Sequence, residues 1–152
     1  MRIISLIGFA ALFILSTYAQ TPLYNIGVST LRGVTAGIGE AYRIKEQYSH
    51  NEIDRKKYGT LWHDYAMISG ALTVGIGIAI AEYSSMNFWK LAQGCFTAAA
   101  FNFFFFQTSY NLTHGEAPFR QSEYTTSRAE VLASFPVMSA LLMTAIILEI
   151  VL

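Results

Sequence analysis

Three histidines, His50, His63 and His114, and the carboxylates Glu52, Asp54, Glu116 and Glu130 are side chains in this sequence equipped for acid–base or metal chemistry. Imidazoles titrate near neutral pH and, together with carboxylates, supply the ligand type of a zinc or di-iron site. Their spacing goes no further. No two histidines stand at the separation of a helical metal pair, and neither HExxH nor a repeated ExxH occurs, so neither a metal nor any other cofactor is expected. Gly33, Gly37 and Gly39 do not form GxGxxG and no strand precedes them. No serine stands in a nucleophile-elbow context. Asn111-Leu112-Thr113 is a glycosylation sequon by letter, but it abuts a hydrophobic run. Cys95 is the single cysteine, which rules out an intrachain disulfide and leaves it as a small apolar packing residue.

Any such chemistry has to be held by a frame, and the frame is hydrophobic. Leu91 to Thr113 carries no charge between Lys90 and His114, and at about 1.5 Å per helical residue it is long enough to cross a bilayer's hydrocarbon layer. Two more uncharged runs flank it, Tyr65 to Ala81 and Val131 to Leu148. The chain is 53% hydrophobic and 13% charged, about half the charged content of a soluble domain. Ten basic residues balance ten acidic ones, so no global field recruits nucleic acid. The expected fold is all-α: a small transmembrane helical bundle with an interfacial amphipathic helix. It forms a single domain over 20–152, with spans near 65–82, 91–110 and 131–150.

Residues 1–19 have a short basic start at Arg2, an apolar core from Ile3 to Leu15 and small residues at Thr17 and Ala19. They read as a signal peptide cleaved before Gln20, or as a first span. From Thr21 to Gln47, Leu23, Ile26, Val34, Ile38, Ala41 and Tyr42 recur at helical spacing opposite Asn25, Ser29, Arg32, Glu40 and Arg43. Arg32 argues against a span here, because an unpaired guanidinium at the bilayer centre costs at least about 2.5 kcal/mol. The segment is therefore expected at the interface or across the end of the bundle. Ser49 to Lys57 reads as a solvated loop or an exposed helix end, with Gly59-Thr60 as stop and N-cap before the next helix. Glu82 to Lys90 reads as a short connection between antiparallel neighbours.

Small residues mark the expected helix contacts. Ser69, Thr73, Gly77 and Ala81 fall at four-residue spacing, as do Gly94, Ala98 and Asn102. Since lipid is as apolar as leucine, helices in a membrane associate through close packing and polar contacts, so these rows are predicted to meet. Asn102 is read as polar glue between helices. On the antiparallel path His63, His114, Glu116 and Glu130 come to the same side and form a candidate polar boundary cluster. Charge counting puts the segment from Gln20 to Asp64, with Arg32, Arg43, Lys45, Arg55, Lys56 and Lys57, in the cytoplasm, whereas the leader puts it outside, so the two rules give opposite orientations.

Two stretches, GIGEAYRIKEQYSHNE followed by Leu61-Trp62-His63-Asp64, and Tyr110-Asn111-Leu112-Thr113-His114-Gly115-Glu116-Ala117-Pro118, resemble a family of uncharacterised small membrane proteins of bacteria and their phages. The resemblance covers about a third of the chain. It implies an integral protein of the bacterial inner membrane and no particular activity. The expected role is a structural or interaction component of a membrane assembly, with lipid and either a second copy or another membrane protein as partners. The alternatives are a membrane-embedded enzyme acting on a hydrophobic substrate at the bilayer boundary, and a holin-like or pore-forming protein.

Overall fold

The computed structural model describes residues 22–120 and 134–151, apart from the side chains of Ser84 and Met86. The reading of 1–19 and the position of Glu130 lie outside the described residues. Four helices and no strand are present among the described residues: α1 Pro22–Tyr48, α2 Glu52–Met86, α3 Phe88–His114 and α4 Phe135–Val151.

Local chemistry sets the boundaries, and two of them differ from the sequence reading. Helix α2 starts at Glu52 rather than at Gly59-Thr60, because Asn51 caps it: the Asn51 Oδ1 accepts from the Ile53 N–H at 3.0 Å. Glu52 and Asp54 then place negative charge in the first turn, and Glu52 pairs with Lys56 one turn on. Gly59 lies inside the helix, where a Cβ would press on the Glu46 carboxylate. The connection read as Glu82 to Lys90 shrinks to Asn87, which ends α2 and caps α3 by accepting from the Lys90 N–H at 2.9 Å. Helix α3 stops at Gly115, at φ 79°, a left-handed conformation that glycine adopts without the steric penalty of a Cβ.

Helix α1 holds the bundle together. It runs antiparallel to α2 and parallel to α3, packing along both, while α2 and α3 touch much less and α4 packs on α3. This corrects the interfacial placement: the polar side of α1 is turned inward along the line between α2 and α3, with Asn25 and Ser29 fully buried. Glycines make the approach to α3 possible. A Cβ at Gly33 would run into the backbone of Asn102, and one at Gly37 into Phe106 and Tyr110. Gly39 faces α2 at Tyr65. Apolar packing fills the remaining seams, with Tyr24 and Val28 against Leu72 and Ala79, and Ala100 and Phe101 against Ala145.

The two small rows do not meet. Gly94, Ala98 and Asn102 do line a helix contact, but Asn102 meets Arg32 and Gly33 of α1, and Gly94 gives its carbonyl to Asn25 of α1 while its Cβ position faces Tyr83 of α2, outside the small row. On α2, Ser69 is buried, Thr73, Gly77 and Ala81 are exposed, and nothing lies within 4 Å of a Cβ built on Gly77. Gly77 therefore makes no contact with α3.

By length and composition, one helix among the described residues is long and apolar enough to cross a membrane, the stretch Glu52–Tyr83 of α2; α4 is apolar but shorter. Gln93, Asn102, Gln107 and Asn111 dilute the apolar character of α3.

Candidate functional site

Polar side chains cluster at three heights of the bundle. Near the Asn87 turn, the Glu149 carboxylate of α4 is surrounded by neutral donors from two other helices. Thr97 Oγ1 donates to it at 2.7 Å and Gln93 Nε2 at 3.0 Å, and the Tyr83 hydroxyl lies 3.1 and 3.2 Å from its two oxygens. Gln93 also donates to the Leu148 carbonyl, while its buried Oε1 accepts from no described group. Beside this cluster Asn25 Nδ2 donates to the Gly94 carbonyl at 3.0 Å. Glu149 is thus held by hydroxyl and amide groups of α2 and α3.

At mid-height Arg32 joins three helices. Its Nη1 donates to Asn102 Oδ1 of α3 at 2.8 Å and its Nε to Thr73 Oγ1 of α2 at 3.3 Å. Both acceptors are neutral. The three ion pairs among the described residues, Arg43 with Glu40, Lys56 with Glu52 and Arg120 with Glu116, do not include Arg32.

The third group lies at the far end. Tyr42 stacks between Tyr58 and Tyr65, and the Lys45 ammonium sits 5.6 Å from the Tyr42 ring centre while donating to the Thr113 carbonyl. His114 packs on Tyr110, with ring centres 4.7 Å apart, and its buried Nε2 has no described partner. Burial first, and then the Lys45 charge, pull the His114 pKa below its ordinary value, against a smaller upward pull from Glu116. Asn111 ties the following turn down by donating to the carbonyls of Pro118 and Arg120.

The described members of the boundary cluster read from the sequence, His63, His114 and Glu116, do not close into a site. His63 is exposed and stacks on its neighbour Trp62, and Glu116 turns to Arg120, 3.9 Å away. Among the described residues, no group of three His, Cys, Asp or Glu side chains is placed to hold a metal ion. The antiparallel path does bring His63 and His114 to the same end of the bundle, but α1 lies between their helices, an arrangement that chain order does not reveal. Sequence reasoning missed the Glu149 cluster, although a signal was there: Glu149 is the only charge in the seventeen residues of α4. A carboxylate in such a helix needs donors from its neighbours, and Gln93 and Thr97 supply them from within the uncharged run.

Comparison with protein-family models, with curated proteins and with solved structures found no match to this chain.

Proposed function

We propose that the chain is an integral membrane protein whose role is structural: a helical component that packs with other membrane-spanning chains. One observation carries this reading, the inverted distribution of polarity. Asn25, Ser29, Thr97 and Asn111 fill the interior, whereas Val74, Ile78, Met143 and Ile147 face outward. Only 17% of the apolar window of α2 is buried. In water the hydrophobic effect favours the reverse arrangement, because each exposed aliphatic side chain forgoes about 1.5–3 kcal/mol of burial. In hydrocarbon an outward Ile has no such cost, and the polar groups gain from facing one another.

The interaction role draws on the outer face of α2. Gly70 and Gly77 face open space with Thr73 exposed between them, leaving room for another helix to approach closely. The native thiol offers a test, since Cys95 is exposed on α3 about two turns past its start. In intact membranes a permeant maleimide should label Cys95 and a charged, impermeant one should not, and alkaline carbonate should leave the chain in the pellet. Equal labelling by both reagents together with carbonate release overturns the membrane reading. A chain that stays in the membrane but is monomeric in mild detergent and gives no crosslinked partner overturns the interaction role alone.

A further inference from the structure

Among the described residues Arg32 is the one charged side chain held at mid-height of the bundle, and its contacts are incomplete. It lies about 15 Å along α1 from Pro22 and about 24 Å from Tyr48. A guanidinium carries five N–H donors in a rigid fork suited to a carboxylate. Here Nε and Nη1 meet the neutral oxygens of Thr73 and Asn102, and Nη2 has no described partner. The Thr73 contact lies at the exposed edge of the seam, flanked on α2 by Gly70 and Gly77, neither of which has any atom within 4 Å of a Cβ position. The free donors and the open helix face therefore occur together.

We infer that this is a docking point for a membrane-spanning helix of a different protein that carries an Asp or Glu at mid-bilayer depth. The inference rests on the membrane reading above and names the chemistry of the partner. Charge complementarity selects the carboxylate, because ionisable groups within a membrane pair with one another or face water. A second copy of this chain does not meet the requirement. In the same orientation it presents Arg32, Thr73 and Asn102 again at this height. The described carboxylates nearest along α1 and α2, Glu40, Asp64 and Glu82, are about 12–14 Å above or below. Glu40 is already bound by Arg43, whose Nε donates to its Oε2 at 2.8 Å, and Glu149 is enclosed by Tyr83, Gln93 and Thr97.

The probe is a synthetic helix of about 20 leucine and alanine residues with one central Glu, compared with twins carrying Gln or Leu there. The full chain, labelled at Cys95, is reconstituted in phosphatidylcholine vesicles at pH 8, and association is read by energy transfer. The Glu helix should bind about tenfold more tightly than the Gln twin, which corresponds to about 1.4 kcal/mol. Arg32→Leu should abolish that preference. Asn102→Asp, isosteric and facing Nη1, gives Arg32 an internal carboxylate and should abolish it too in a chain that stays folded, so the test does not depend on the stability of the leucine variant. Equal binding of the Glu and Gln helices by the native chain, or a preference that survives Asn102→Asp, overturns the inference. So does a result in which Arg32 instead makes the chain bind phosphatidylglycerol, since the occupant is then a lipid phosphate. If the chain does not float with the vesicles, the membrane reading itself has failed, and the inference with it.

Discussion

Replacing single glycines by alanine gives opposite signs at different places in this bundle, and the signs test the packing directly. Alanine is favoured over glycine in a helix by about 1 kcal/mol. At Gly77 the new methyl meets nothing within 4 Å, so Gly77→Ala should stabilise the chain by about 0.5–1 kcal/mol. At Gly33 and Gly37 the methyl would enter the space of α3 backbone atoms, which cannot rotate away as a side chain can. Overpacking of this kind costs about 1–3 kcal/mol. Because the whole helix has to move, the upper part of that range applies, and after the propensity gain the net loss is about 1–2 kcal/mol. The Gly37 methyl also displaces Ser109, whose hydroxyl donates to the Val34 carbonyl at 3.1 Å. Gly94→Ala should also destabilise, because the methyl would meet Tyr83 Cγ at 2.7 Å and Cβ at 3.2 Å, the root of a buried side chain whose hydroxyl is tied to Glu149. In a chain of this size 1 kcal/mol moves the melting temperature by about 2–4 °C. Thermal unfolding of the purified variants, followed by circular dichroism in one detergent, should show Gly77→Ala above the native chain and Gly33→Ala and Gly37→Ala below it. If all three rise together, α1 is not seated on α3 and the architecture described above is wrong.

Thr97→Val removes the 2.7 Å donor to Glu149, and by the usual worth of a hydrogen bond to a charged group it should cost about 1.5–3 kcal/mol in the same unfolding assay. For His114 the folded pKa lies below the unfolded value of 6.5, so above pH 6.5 both states are neutral there and its contribution is flat. As pH falls below 6.5 the unfolded chain takes up the proton first, so stability should fall towards the folded pKa, and His114→Gln should flatten that limb of the stability–pH curve. Asn111→Ala frees the Pro118 and Arg120 carbonyls from its amide, and limited proteolysis should cut after Gly115 several-fold faster than in the native chain.

Helical character was legible from the sequence because it is a local property. Long apolar runs and the alternation of faces in α1 report on the backbone within a few residues of themselves. Asn102 announced a partner across a seam, because an amide within an apolar run needs one. The cap at Asn51 was also local: Asn51 with Glu52 and Asp54 after it is a stronger start signal than Gly59-Thr60, and the apparent loop from Ser49 to Lys57 hid it. The tertiary structure decided which helix each face meets. Short connections on either side of α2 suggest three consecutive neighbours, yet α1 lies against both α2 and α3 and turns Asn25, Ser29 and Arg32 inward. That choice brings His63 and His114 to one end without joining them, gives Glu149 its three donors and leaves Gly77 open. The physical reason is that a row of small residues specifies only that something can come close; which helix fills it depends on the depth of every competing groove and on where the buried polar groups find partners, and both are properties of the assembled bundle.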